Sequence, residues 1–428
     1  MSRMRAAVLV ALLAATRFAF AADLPACEGK DCVQILVFGD PQPKSKVDVD
    51  YFTRDVVEPA KPAAKRSVVG VALGDIVQDR PDLYPGIKAA TKRLGIPWLF
   101  VPGNHDMDAG AKSDKDALDS FHKAFGKDSR TWSHDLASII VLDDVIAQPG
   151  TSPGYIGGLR EDQFAMLEQW LPTQPRERLL IVAVHIPFFD TSTVPGQETF
   201  RAADRARLFA LLRPFPNVLL LSAHTHNQRH YFHGAKTGWL GERPLHEYNV
   251  GAACGAFWSG AKDAAGIPDT TMSDGTPNGF ATLQVRRDGS YALAWHPARD
   301  AADAQMALHA PKVLRRGAYP GWGVYANVFM GFEGMRVEYR VDDGDWMPMV
   351  RVAQGDPGLL AENARDDDAG ALRGYDRSPE ATPSTHLWRG ALPTKLAAGQ
   401  HTVEVRAFDP WRGETRATTT YRLDEAKP

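Results

Sequence analysis

Between residues 33 and 224 the chain repeats one alternation, a short apolar run followed by a longer mixed stretch. The runs at 33–38, 68–73, 98–101, 139–142, 179–184 and 218–221 are rich in Val, Ile and Leu, without clean polar alternation. Runs of that kind read as strands covered on both faces. The stretches at 51–57, 83–94, 116–125, 161–171 and 202–212 read as helices; in the fourth, Phe164, Leu167 and Leu171 share one face. Strands that alternate with helices predict an α/β sandwich. At 428 residues and 44% hydrophobic content, the chain has material for a large core and more than one domain.

After residue 311 the period changes to two. Val324, Ala326, Val328 and Met330 fall on one face, and Met335, Val337, Tyr339 and Val341 repeat the pattern before a turn at Asp342-Asp343-Gly344-Asp345. Val403, Val405 and Ala407 form a further strand, and 415–423 a last one. The expectation is a small antiparallel β-sandwich over 311–428, with the charged, Gly- and Pro-containing stretch 354–383 as a long loop or insertion. At the other end, Arg3 and Arg5 precede the apolar run 6–15, and Ala19-Phe20-Ala21 fits a cleavage site. Residues 1–21 therefore read as a signal peptide, and 22–310 as the α/β domain of a periplasmic or secreted protein. Cys27 and Cys32 are expected to close a small disulfide loop in that compartment, which leaves Cys254 as a buried small hydrophobe. No other stretch is apolar enough for a bilayer span. A net charge of −3 gives no basic field for nucleic acid. Oligomeric state is not encoded in any feature of the sequence.

Polar residues follow the apolar runs directly. Asp40 and Gln42 lie in Gly39-Asp40-Pro41-Gln42, and Asp75 and Asp79 in Gly74-Asp75-Ile76-Val77-Gln78-Asp79. Asn104 and His105 lie in Gly103-Asn104-His105-Asp106, His185 in Val184-His185-Ile186-Pro187, and His224 and His226 in Ala223-His224-Thr225-His226. Ligands of α/β sheets bind beyond the carboxyl ends of strands, so five strands deliver these side chains to one edge. Carboxylates can bridge two cations, while imidazoles and amide oxygens complete their shells. Two metals roughly 3.5–4 Å apart can make hydroxide available at neutral pH and clamp the attacking and leaving oxygens of a phosphate ester. The leaving oxygen still needs a proton, which a histidine held by a carboxylate can supply. Asp106 reads as a turn or helix cap. His134, His230, His233 and His246 are expected at the surface, and Trp258 either as a stacking wall or as core.

This ordered set resembles the calcineurin-like metallophosphoesterase superfamily over residues 33–300, whose pattern is D-x-H, G-D, G-N-H-D/E, H and G-H-x-H. The resemblance implies a metallophosphoesterase-type α/β sandwich followed by the β-sandwich. It implies Asp75 as a bridge between two divalent or mixed-valence metal ions (manganese, iron or zinc). Asp40, Gln42 and His226 would complete one site, and Asn104, His185 and His224 the other. His105 would be the general acid, oriented by Asp79. Two positions depart from the pattern: Gln42 stands where most relatives have His, and Ala223 replaces the usual Gly. Asp-Pro-Gln belongs to one branch, which 254–260, 274–280 and a C-terminal β-sandwich also resemble. The implied activity is hydrolysis of a small phosphoester substrate, mono- or diester, with the outer pocket setting the choice. The alternative, from another class, is an envelope metal- or ligand-binding protein whose catalysis faded with Gln42.

Overall fold

The computed structural model describes Cys27 and residues 30–426, apart from 193, 195, 302, 372, 373 and 375. The signal peptide read at 1–21 lies outside the described residues. Two sheets make the α/β part. The first runs in the order Tyr291–Pro297, Gly279–Arg286, Cys32–Phe38, Ser67–Leu73, Trp98–Val101. Its last three strands are parallel, and the first two add on antiparallel. The second runs Arg229–His233, Leu245–Asn249, Val218–Ser222, Leu179–Ala183, Ala137–Val141, Arg130–Ser133. Its inner four strands are parallel and both edges antiparallel.

Side-chain alternation sorts the second sheet onto two cores. Ile139, Val141, Ile181, Leu219 and Leu221 pack toward the first sheet. Ile140, Leu180, Val182 and Leu220 pack under the helices Glu161–Trp170 and Ala202–Leu212, against Phe164, Leu167, Leu208, Phe209 and Leu212. Both faces are dry, which is why these runs lack polar alternation. The expected α/β sandwich is what forms. All six apolar runs become strands within a residue or two of their ends. The helix expected at 51–57 is longer: Lys46–Phe52 and Glu58–Ala64 flank a π-helical turn at Thr53–Val57. Ser45 caps its start by accepting from Asp48 N.

The C-terminal part is rich in antiparallel strands, as expected. One sheet orders Met306–His309, Gly323–Val328, Leu387–Ala391, Val350–Arg351; the other orders Val313–Arg315, Gly413–Asp424, Gly399–Asp409, Val337–Val341, Met347–Pro348. Val324, Val337, Trp388, Val405 and Tyr421 fill the space between. Its first strand thus begins at Met306. The stretch expected as a loop or insertion contains the helix Pro357–Asp367. Asp356 caps it, Oδ1 accepting from Gly358 N at 2.8 Å and Leu359 N at 3.0 Å, and Pro357 opens it.

The two parts share a seam. Phe329 and Met330 lie in the core of the first sheet. Asn327 Nδ2 donates to Asp274 O at 2.9 Å, and His386 Nε2 lies 3.1 Å from Asp274 Oδ2. Burial corrects the surface reading of three histidines, two of them at this seam. His230, His233 and His246 are all buried. From the C-terminal part, Phe332 meets His230 edge-on and Trp411 lies tilted against it, while Trp411 stacks on His246. His233 is paired internally with Glu247 at 2.6 Å. Cys27 and Cys32 are disulfide-bonded, and Cys254 is free and buried. No helix among the described residues is long and apolar enough to cross a membrane.

Candidate metal centre

The strand ends that carry the motifs converge, and the backbone is bent to make them do so. Asp40, Gln42, Asp75, Asp79, His224 and His226 all have positive φ, between 37° and 69°. Each such residue costs about 1–3 kcal/mol and persists only where its surroundings hold it. Two glycines allow the close approach. A Cβ on Gly103 would collide with Asp75 N and Oδ1, and one on Gly74 with the His185 ring. His105 N then donates to Asp75 Oδ1 at 2.8 Å, which ties the third motif to the second.

Two groups of donors result. Single ligand atoms of Asp75, His185 and His224 lie within 4.8 Å of one another, and so do those of Asp40, Asp75 and His226. Asp75 belongs to both. His185 Nδ1 donates to Leu73 O at 2.8 Å, which turns its Nε2 lone pair inward. Around that Nε2 stand Asn104 Oδ1 at 3.0 Å, His224 Nδ1 at 3.2 Å and Asp75 Oδ1 at 3.4 Å. These are lone pairs facing lone pairs, an arrangement that needs a cation or a proton at its centre. His226 is oriented likewise: Nδ1 donates to Gly255 O at 2.8 Å, and Nε2 sits 3.9 Å from Asp40 Oδ1. Asp40 Oδ2 is buried with no hydrogen-bond donor among the described residues. Gln42 Nε2 lies 3.2 Å from Asp75 Oδ2, with Oε1 toward Cys254 Sγ at 3.6 Å.

The electrostatics carry the same message. Burial pushes the Asp40 carboxyl well above its usual range. Burial would raise Asp75 too, but His185 beside it holds Asp75 well below the carboxylate range. Burial alone would lower His185; Asp75 outweighs that and lifts it to about 10. Burial, helped by His185, pushes His224 down to about 3, and burial pushes His226 down to about 4. The raised His185 beside the lowered Asp75 marks a pocket that favours positive charge. Two carboxylates, three imidazoles and two amides fit two hard-to-borderline divalent cations.

Comparison with known families follows this geometry. Residues 33–228 match the family described as calcineurin-like phosphoesterase, and residues 247–415 match the C terminal of the same family. The chain belongs to the calcineurin-like phosphoesterases. Among solved structures, a purple acid phosphatase from yellow lupin (Lupinus luteus) seeds is 16% identical over 64% of this chain, with a TM-score of 0.46; the chain spans 53%, about half, of its length. A dimetal phosphatase from Danio rerio is 13% identical over 62% of this chain and 96% of its own, with a TM-score of 0.43. Phosphopantetheinyl hydrolase from Mycobacterium tuberculosis is 12% identical over 53% of this chain and 91% of its own, with a TM-score of 0.33. The comparison with curated proteins finds no match.

In this member of the family His105 stands outside both donor groups and is partly exposed. Its Nδ1 lies 3.0 Å from Asp79 Oδ1 and 2.9 Å from Gln78 Nε2, while Gln78 Nε2 also reaches Asp79 Oδ2 at 3.1 Å. Gln78 is within a recognised motif, yet nothing in the sequence assigned it this place. No sequence motif contains Asp144: it is buried, and its Oδ1 accepts from His185 N at 3.0 Å and Ile186 N at 3.1 Å, fixing the turn that presents His185. Asp106 braces the second motif, accepting from Ile76 N, Val77 N and Gly103 N and from the Tyr84 hydroxyl. Trp258 is buried and donates to Pro41 O at 3.0 Å, so it supports the first motif from behind.

Proposed function

We propose that this chain hydrolyses phosphate esters, mono- or diesters, at a dinuclear metal centre outside the cytoplasm. The observation that carries the reading is the pair of donor groups sharing Asp75. Asp40, Gln42, Asp75 and His226 would hold one cation, and Asn104, His185, His224 and Asp75 the other. When bound, the pair supplies positive charge for the phosphate oxygens and a hydroxide nucleophile near neutral pH.

The remaining work falls to the chain's own residues. An imidazolium at His105 keeps its Nδ1 proton on Asp79 and can pass its Nε2 proton to the leaving oxygen. Asp79 holds the ring in that orientation, and Gln78 holds Asp79. Asp144 and Asp106 fix the turns beneath. Retention of this proton-donating pair favours the enzyme over a protein that only binds metal, since binding needs no proton donor. The disulfide between Cys27 and Cys32 supports an oxidising compartment, periplasmic or secreted.

The test is turnover of chromogenic mono- and diesters by purified protein supplied with manganese, zinc or iron. Clear turnover supports the reading. Bound metal without turnover across a broad ester panel supports the metal-binding alternative.

A further inference from the structure

Five residues beyond His224, the strand Arg229–His233 begins with a cation that nothing neutralises by contact. The Arg229 guanidinium lies 4.3 Å from the centre of the Phe189 ring and 5.4 Å from that of Tyr231. Those rings stack on each other at 4.9 Å. Stacking uses the flat face of a guanidinium and leaves its five N–H donors in the plane. Among the described residues, those donors have no hydrogen-bond acceptor and no carboxylate partner. Arg207, by contrast, is bound by Glu161 and Glu168. Glu247 lies within electrostatic reach of Arg229, but its oxygens accept from Phe188 N, Ser222 Oγ and His233 Nε2.

Arg229 and His224 line the same cavity, of about 290 Å³. Pro383 and Thr385, from the C-terminal part, also line it. One carboxylate, Asp274, also lines it, yet accepts from Gln228 N, Thr276 N and His386. Asn227 Oδ1, in the same wall, is buried without a partner among the described residues. The volume is at the low end of small-molecule sites, about 300–1,000 Å³, so it admits a compact group.

We propose that Arg229 reads a second anionic group on the substrate, a carboxylate or a second phosphoryl, seated in this cavity while the reacting phosphate lies at the His224 side. The substrate class is then a compact phosphate ester with an anion at its far end. This rests on the phosphoester reading of the adjacent centre. An unspent guanidinium fork recognises either anion through paired charge-assisted hydrogen bonds, and a neutral arm offers it much less.

The test uses three propylphosphonates carrying hydroxyl, carboxylate or a second phosphonate at the far carbon. Their binding to the full chain with manganese added is measured by calorimetry, for wild type, Arg229→Met and Arg229→Lys. Wild type should bind the anion-ended probes about tenfold or more tighter than the hydroxyl-ended one. The tighter of the two identifies the anion. Arg229→Met, which keeps the apolar stem over the rings, should erase the preference, and Arg229→Lys should keep part of it. Equal binding of all three probes by wild type, or an undiminished preference in Arg229→Met, overturns the proposal. If Arg229→Met does not fold, Arg229→Gln is read in its place. Phosphonates are not hydrolysed, so the preference is measured whether or not esters turn over. Absent turnover with intact preference counts against the phosphoesterase reading alone, and intact turnover without preference against Arg229 alone.

Discussion

At the residue scale, the division of labour sets what each substitution should do. His105 touches neither donor group with its ring, so His105→Ala should keep most bound metal. Its rate on esters with poor leaving groups should fall about 100-fold or more, and the loss should shrink for activated leaving groups, which need no proton. A loss independent of leaving-group pKa would remove His105 as the acid. Gln42 is a neutral amide set between Asp75 and Cys254, and it offers a weaker donor than imidazole. The cation held with Asp40 and His226 should therefore be the looser one, and Gln42→His should tighten it in a metal titration at fixed pH. Two tight ions in wild type, with no gain in the variant, would contradict this. These residues were legible because each sits directly after an apolar run. Asp144 also follows an apolar run, at 139–142, but it falls in none of the five motifs, and Gln78 and Arg229 are marked only by a partner across space or the lack of one.

At the scale of elements, the centre depends on turns tighter than most side chains allow. Gly103→Ala would push a methyl into Asp75 N and Oδ1. It should lower stability by about 1–3 kcal/mol, as overpacking does, and reduce metal binding with it. Thermal unfolding and metal analysis of one sample check this; a variant with wild-type stability and metal would show that the turn yields. The parallel strands were readable from the sequence because burial on both faces leaves one signature. The strands Arg229–His233, Leu245–Asn249, Gly279–Arg286 and Tyr291–Pro297 were not singled out, since His, Arg, Gln and Trp interrupt their apolar pattern. Those polar side chains meet partners in the fold, as His246 meets Tyr291 at 2.6 Å. The helix Pro357–Asp367 did carry a signal, Asp356 followed by Pro357, hidden within a charged stretch; the helix itself buries Leu359.

At the scale of the molecule, the C-terminal sandwich is built into the rest. Phe329 and Met330 fill the core of the first sheet, and Trp411 covers His230 and His246. A chain ending before Met306 would expose that face and leave Asp274 without His386. It should express as an unstable or insoluble protein, measured by solubility and thermal unfolding; a soluble fragment with wild-type melting would show the seam to be dispensable. The alternation of runs and the turn at 342–345 announced two architectures, but a seam between them leaves no local pattern to read. On the proposed reading, two cations share Asp75 and drive ester hydrolysis. The most direct measurement follows metal per chain and ester turnover together, through chelation and metal re-addition, for wild type and Asp75→Asn. Wild type should hold up to two ions, with the rate falling and returning as they leave and rebind, and Asp75→Asn should lose both metal and rate. Turnover that survives chelation, or an Asp75→Asn protein with unchanged metal and rate, would contradict it.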